Sequence, residues 1–297
     1  MKTCCVIVCY RPDPALVKKL CADLASDGAE VILVDNSEDQ DPALDDMTLP
    51  AGCALITLGA NTGIAHAQNV GIAAALAADA GVVVFFDQDS TITPGFLRTL
   101  TSPLRPGVPE IVSPLCFDDT THRELPSLGV SRRGISNDVQ RSTDRQPYPV
   151  DVVISSGTAA TKEVFSVGGL LDESFFIDFV DTEWCLRCRD KGIPILVVPD
   201  AVMRHRIGSR AIHLSVMTVL VHNPARCYYQ LRNCFLLFRR THIPFLFSLK
   251  QFVSVFASRL LLLFFVSDRR AYLNAYVSAL NDGIRGVAGR NPRDVLA

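Results

Sequence analysis

No stretch of this chain is an uninterrupted apolar run of about 18 residues, the length that spans a bilayer. The nearest approach, 243–266, is broken by Lys250, Gln251 and Arg259. The apolar stretch after Lys2 is too short for a signal peptide and stops at Arg11-Pro12, so no secretory leader is expected. No internal repeat or low-complexity tract is present. The ten cysteines lack any disulfide spacing, and Cys185-x-x-Cys188 has no second pair at zinc-site distance, which argues against structural zinc and for a reducing cytosol. Cys4, Cys5 and Cys9 lie in an apolar run and read as small core hydrophobes. Acidic residues are scarce at one end only. Residues 201–297 carry 14 Lys and Arg against 3 Asp and Glu, a local charge of +11 on a chain whose total is −2. A basic end on an acidic body calls for an anionic partner, and a membrane surface or a phosphate-bearing ligand is expected rather than a nucleic acid.

What is present is an alternation of short apolar runs and amphipathic segments. Residues 3–10 read as a first strand. A helix opens at Pro14 with Leu16, Leu20 and Leu24 on one face and stops at Gly28. Strands follow at 31–34 and 54–58, then an Ala-rich helix over about 65–80, then a strand over 81–86. This β-α-β-β-α-β order predicts an α/β fold with a mostly parallel, helix-covered sheet and right-handed crossovers. Further strands are expected near 110–114, 150–155 and 195–198. A variable loop or hairpin lies within 105–150, and helices run from about Lys162 and from Asp181 to Lys191-Gly192. The chain divides into 1–210, the sheet domain, and 211–297, a basic helical extension. At 100° per residue, Leu249, Phe252, Val253, Phe256, Leu260, Leu263 and Phe264 share one face of the last apolar segment. Periodicity leaves two readings of it open, a membrane-interface helix or a core or homodimer helix.

Chemistry concentrates where the strands end. Asp87-Gln88-Asp89 closes the apolar run Gly81–Phe86. Carboxylates there are costly to bury without a cation, and ligands of open α/β sheets bind at the carboxyl ends of strands. Hard oxygen ligands one residue apart suit Mg²⁺ or Mn²⁺, which can hold a diphosphate. Tyr10, Asp35, Asn61, Asp87 and Asp89 should converge on one rim. A second acidic group, Asp178, Asp181 and Glu183, follows Phe175-Phe176. Helical spacing puts Asp178 and Asp181 on one face and pairs Glu183 with Arg187 at i+4. Either aspartate, set opposite a metal-held diphosphate, could deprotonate a hydroxyl. His205, between Arg204 and Arg206 after the last core strand, could ligate the metal or touch a phosphate.

Val6-Ile-Val-Cys-Tyr10, Val34-Asp-Asn-Ser37, Asn61-Thr-Gly63 with Asn69-Val-Gly71, Asp87-Gln-Asp89, Ser156-Gly-Thr158, Gly168-Gly169, the run Phe176–Arg187 and His205-Arg-Ile-Gly208 occur in this order. As an ordered set over roughly 3–240 they resemble glycosyltransferase family 2 with its GT-A fold. The run 176–187 and Arg226–Asn233 are similar to bacterial dTDP-rhamnosyltransferases of cell-surface polysaccharide synthesis. The resemblance implies a dTDP-sugar donor and a glycan or lipid-linked saccharide acceptor, with the enzyme peripheral at the cytoplasmic face of the inner membrane. Asp35 would contact the nucleobase, Tyr10 and Asn61 would line the same pocket, and Asp87 and Arg232 would bind substrate. Asp89 and His205 would hold Mg²⁺ or Mn²⁺, and Asp181 would be the base of an inverting displacement. The family's first acid of the Glu-Asp pair is Val180 here, which keeps Asp178 in play as the other carboxylate. A Gln-x-x-Arg-Trp motif, the mark of processive synthases, is absent, so single additions are expected.

Three rivals are weaker. Another family 2 transferase could use a UDP- or GDP-sugar. A sugar-nucleotide pyrophosphorylase needs a Gly-rich basic phosphate loop after the first strand, and this chain reads Cys-Tyr-Arg-Pro-Asp-Pro there. A non-catalytic membrane-associated protein that binds nucleotide sugars would explain the basic end but not the carboxylates at strand ends.

Overall fold

The apolar runs fold as strands of one mixed sheet in the computed structural model, which describes residues 1–38, 48–118, 124–125, 127–139, 145–205, 210–213, 218–291 and 293. In chain order the first half gives β1 (Thr3–Cys9), α1 (Pro14–Ser26), β2 (Glu30–Asp35), β3 (Cys53–Thr57), α2 (Ile64–Ala77), β4 (Val82–Asp87), α3 (Phe96–Thr101) and β5 (Ile111–Asp118). Then come β6 (Leu128–Val130), β7 (Ser136–Asp138), β8 (Tyr148–Val150), β9 (Ala159–Thr161), α4 (Lys162–Val167), α5 (Val180–Asp190) and β10 (Ile195–His205). A small hairpin, β11 (Arg210–His213) with β12 (Thr218–Val221), leads to α6 (Pro224–Phe238), α7 (Phe245–Leu262) and α8 (Arg269–Arg285).

The eight-stranded sheet has the order β3-β2-β1-β4-β9-β5-β10-β8. β1, β2, β3 and β4 pair in parallel, as do β5 and β10, while β9 and β8 run against their neighbours. The predicted mostly parallel α/β sheet is what forms. Because chain order reverses between β1 and β4, the rim beside them is a topological switch point, where open α/β sheets take ligands. Register confirms a shared rim: Val8 stands beside Asp87, Cys9 beside Asp35, and Asp35 beside Thr57.

Several local expectations need correction. The buried stripe of α1 is Val17, Leu20, Cys21 and Leu24, and Leu16 faces solvent. The expected strand over 150–155 is divided. β8 ends at Val150, Val152 and Val153 stay buried without pairing as a strand, and the chain turns at Ser155–Gly157 before β9. The turn is forced because β9 runs antiparallel between β4 and β5. The variable region does contain a hairpin, β6–β7. The expected domain boundary, 210, adjoins 206–209, which lie outside the described residues. Leu236, Leu237, Ile243 and Phe247 belong to the same buried cluster as Val83, Phe85 and Trp184, so the C-terminal helices share a core with the sheet.

Helix α2 lies against β1 at Gly71, where an added Cβ would sit 2.2 Å from Val6 Cγ1. Gly71→Ala should therefore destabilise the protein by about 1–3 kcal/mol, although alanine is the better helix former, because the helix must lift off the sheet. Chemical denaturation checks this. An unchanged or higher midpoint would mean that the contact relaxes at no cost.

All ten cysteines are free. Burial pushes the Cys188 thiol up to about 12 and holds the Cys185 thiol well above its ordinary value, as for small core hydrophobes.

Candidate active site

The apolar strand β4 delivers Asp87 to the rim, and the residues after it form the site floor. Gln88, the middle of the triplet, accepts from the Tyr10 N–H at 2.7 Å and donates to the Tyr10 carbonyl at 3.3 Å. It thereby ties the loop after β1 to the loop after β4. The backbone N–H of Asp87 donates to Ser156 Oγ at 3.0 Å, and Ser156 Oγ lies 2.8 Å from Ser90 Oγ. The next-door backbone, at Ser155, hydrogen-bonds the Asp181 carboxylate. Two consecutive residues thus touch both acids, so Asp87 and Asp181 flank one turn. Gly157 closes that turn with φ +80°, and a Cβ there would meet Pro114 Cγ at 2.7 Å.

Asp181 sits in the first turn of α5, where the N-terminal dipole favours a carboxylate. Its Oδ1 accepts from the Thr182 N–H at 2.7 Å. Even so, its pKa is raised to about 6. Burial is the main cause, and the charges of Asp178 and Asp87 add to it, outweighing the backbone donors from Thr182 and Ser155. The coupling makes Asp87, Asp178 and Asp181 electrostatic neighbours, and the space between them at the strand ends is the candidate hollow. Asp178 does not share a helical face with Asp181, as spacing had predicted. It precedes the helix in a left-handed turn, with Phe176, Asp178 and Phe179 at φ 64°, 63° and 65°. Strain of this kind persists only where surroundings impose it. Here Asn233 imposes it from α6: its Nδ2 reaches the carbonyls of Phe175, Ile177 and Asp178 at 2.9, 2.7 and 2.9 Å. The Ile64 N–H adds a bond to the Phe176 carbonyl at 2.8 Å. Arg226 donates to both oxygens of Asp178, at 3.0 and 3.1 Å, and also feels Asp87.

Replacing Asp178 with Asn removes one of the like charges that lift Asp181, and Asn tolerates φ of about +60°. The acid limb of kcat/KM, which reports the free enzyme, should move to lower pH than wild type. A limb that stays in place or rises would show that the two carboxylates do not interact.

The nucleotide-side candidates lie at the neighbouring strand ends. Asp35 is buried and accepts from the Ser37 N–H at 3.0 Å. Asn61 Oδ1 lies 3.1 Å from the Gly63 N–H and 3.3 Å from Asn36 Nδ2. Asn36 Oδ1 in turn takes the Thr62 N–H at 2.8 Å. Tyr10 is partly exposed, its hydroxyl 3.4 Å from Glu38. Glu183 pairs with Arg187 at 2.8 Å as expected, buried on the far side of α5 from the hollow.

Arg232 is a correction. Its side chain is 0% exposed. The guanidinium bonds the carbonyls of Val287 and Gly289 at 2.8 and 3.0 Å and stacks on Tyr228 and Tyr229. It fastens the chain after α8 to α6 and also reaches the Phe175 carbonyl at 3.4 Å, so all these bonds go to backbone. The residues that reach the hollow from α6, Arg226 and Asn233, stand in the same quoted stretch. The signal available for Arg226 was its i−6 position, almost two turns from Arg232 towards the helix start. His205 ends β10 beside Asp118, and its side chain lies outside the described residues.

Among the described residues no three His, Cys, Asp or Glu side chains form a closed metal cage. The donor set still suits a divalent cation. The hollow holds an excess of carboxylates, and Mg²⁺ is commonly held by one or two carboxylates with substrate phosphates completing the shell.

Comparison with known proteins agrees with this architecture. The model of Glycosyl transferase family 2 matches residues 4–165. Over 284 residues the chain is 35% identical to the dTDP-rhamnosyl transferase RfbF of Shigella flexneri, covering 96% of each chain. Among solved structures, S. aureus TarS is similar with a TM-score of 0.57 at 16% identity, over 97% of this chain and 49% of that one. TarS 1-349 in complex with UDP-GlcNAc has a TM-score of 0.54 at 16% identity, over 97% of this chain and 82% of that one. GalNAc-T7 with UDP, GalNAc and Mn2+ gives 0.56 at 15% identity, over 69% and 44%. This chain thus spans less than half the length of GalNAc-T7 and of the longer TarS. At such identities these likenesses speak to the fold alone.

Proposed function

We infer that this chain, which belongs to glycosyl transferase family 2, moves a single L-rhamnosyl group from dTDP-L-rhamnose to a hydroxyl of a glycan or lipid-linked acceptor in cell-surface polysaccharide synthesis, with inversion. Glycosyltransferase activity follows from the membership. The observation that carries the mechanism is Asp181, a carboxylate with its pKa raised to about 6, facing Asp87 across the Ser155–Ser156 turn. A base with a pKa near the working pH combines a large ionised fraction with real proton affinity.

Asp181 takes the proton of the acceptor hydroxyl. The freed oxygen attacks the anomeric carbon, and the bond from that carbon to the diphosphate oxygen breaks on the opposite face. One base suffices for a single displacement, since the leaving diphosphate needs charge neutralisation rather than a proton. Asp35, Tyr10 and Asn61 hold the nucleoside end, and Asp87 orients the sugar and its phosphates. A Mg²⁺ or Mn²⁺ ion held by Asp89 and His205 would supply positive charge to the departing diphosphate. Arg226 adds a second cation on the same side. The donor assignment rests on the 35% identity to a dTDP-rhamnosyl transferase. A location at the cytoplasmic face of the inner membrane belongs to the same reading and is supported by the +11 charge of residues 201–297, while the division into 1–210 and 211–297 is one of roles around a shared core.

Melting curves with dTDP-, UDP- and GDP-sugars, with and without Mn²⁺, test the proposal, followed by incubation with dTDP-rhamnose and measurement of slow dTDP release. Stabilisation by the dTDP compound, dependent on metal, is expected. Stabilisation by UDP- or GDP-sugars alone would reassign the donor. Silence with all three would remove the transferase reading of this site.

A further inference from the structure

We propose that the outer face of α7 and the α7–α8 turn form a docking surface for an anionic lipid bilayer, oriented so that docking presents the Asp181 hollow to the lipid surface. The proposal deepens the transferase reading above and rests on it only for the orientation.

Helix α7 is long and apolar enough to cross a membrane by length and composition, but it is fastened at both ends to the rest of the protein. At its start Phe247 is fully buried and packed under Gly134, and Lys250 Nζ donates to Ser136 Oγ at 2.8 Å. At its end Leu262 is fully buried and Arg259 lies 3.1 Å from Cys227 Sγ. Leaving this position to span a bilayer would break both ends away from the core. The opposite face remains uncovered. Leu249, Val253 and Leu260 lie within about 40° of one another at 100° per residue, and Phe264 follows in the turn just past the helix end. All are exposed, Val253 by 56% and Phe264 by 76%, with Phe265 beside the latter at 48%. An exposed apolar stripe on a helix that is already anchored on its other side is the geometry of an interfacial helix.

Charge decides between the candidate occupants. Residues 241–267 contain no Asp or Glu. The next acid, Asp268, is engaged as the cap of α8, accepting from the Ala271 N–H at 3.1 Å. Arg269 and Arg270 follow it, both exposed. A symmetric pairing of two copies through this face would set Arg269 and Arg270 of one copy against like cations of the other, with Asp268 the single acid of residues 241–281 to relieve them. Anionic headgroups complement the same arrangement.

The orientation follows from contacts at the end of α7. Arg259 and Leu262 pack on the first turn of α6, and the Tyr272 hydroxyl donates to the His222 carbonyl at 2.7 Å. Arg226, one residue from Cys227, bonds Asp178 beside Asp181. The aromatic turn 264–265 and the two arginines therefore sit at the end of the helical layer that carries the hollow. A hydroxyl borne by a lipid-linked acceptor would meet the base without leaving the surface.

Flotation of the full chain with phosphatidylcholine vesicles, with and without phosphatidylglycerol, tests this, alongside sedimentation for oligomeric state. Binding is expected only with phosphatidylglycerol. Phe264→Ser with Phe265→Ser should lower the partition coefficient about tenfold or more, as should Arg269→Gln with Arg270→Gln, with melting points held. Both variants should release dTDP from dTDP-rhamnose as wild type does, and Asp181→Asn should float as wild type does. A dimer that dissociates in the Phe264/Phe265 variant assigns the face to a second copy and overturns the proposal. Absent flotation, or flotation indifferent to phosphatidylglycerol, overturns it too. Flotation without dTDP release from any preparation would leave the docking surface standing and sink the transferase reading instead.

Discussion

Asp181→Asn should lower transfer about 10³-fold, roughly 4 kcal/mol of transition-state stabilisation, while dTDP-sugar affinity stays within about threefold. The substitution keeps shape and keeps an oxygen for the Thr182 and Ser155 backbone donors. It removes the proton acceptor and, with it, one buried negative charge. The acid limb of the pH profile should vanish with the rate, since no group raised to about 6 is left to titrate there. Stability provides an independent check. A carboxylate whose folded pKa lies above its unfolded value binds protons more tightly when folded. Its contribution to stability is therefore highest at low pH, declines from about pH 4 to pH 6 and stays lost above. At pH 8 the wild type carries a buried charge beside Asp178 and Asp87, and the Asn variant does not. The variant should melt no lower than wild type, so lost transfer could not be blamed on unfolding. Transfer above a tenth of the wild-type rate would take Asp181 out of the base's role.

Much of this site could be read from the chain because its logic is local. The run 82–86 is apolar on every residue, so it must be a central strand, and whatever follows it must be at a rim. That placed Asp87, and the same logic placed Asp35 at the end of β2. Asp181 was reached through a resemblance, and the helix start that holds it is visible in the sequence. The losses came where position depends on distant partners. Residues 150–155 have a strand's composition, but β9 must reverse direction to enter between β4 and β5, and nothing local announces that. The polar residues of α6 were harder still. Arg232 and Asn233 are adjacent and both fully buried, yet the shorter bonds of the first go to the tail and those of the second to the loop before α5, with the Phe175 carbonyl shared between them. Which side chain meets which carbonyl is set by how α6 packs, 50 residues beyond the loop it serves. The outward face of α7 illustrates the reverse case. Periodicity grouped Leu249, Phe252, Val253, Phe256, Leu260, Leu263 and Phe264 on one face, but only packing shows that this face is split: Phe252, Phe256 and Leu263 pack against the core, Leu249, Val253, Leu260 and Phe264 stay uncovered, and Arg259, which interrupts the apolar run, is buried.

Asn233→Leu should lower kcat about 10²-fold with little change in the donor KM, although Asn233 touches neither substrate. The carbonyls of Phe175, Ile177 and Asp178 can only accept, so the atom facing them must be the amide nitrogen, and leucine leaves all three without that donor. The loop they belong to has three non-glycine residues in left-handed conformation, a state each would leave if released. Relaxation would draw Asp178 and the start of α5 away from Asp87. A shift of about 1 Å at a reacting group is enough for a loss of this size. The melting point should fall as well, so rate alone cannot separate positioning from general damage. The acid limb can. If the loop relaxes, Asp181 loses both its burial and its like-charged neighbours, and its pKa falls from about 6 towards the ordinary carboxylate range. A slower enzyme whose limb has moved to lower pH is what a positioning role requires. A slower enzyme with the wild-type limb would mean that the hollow is intact and that Asn233 only supports the fold.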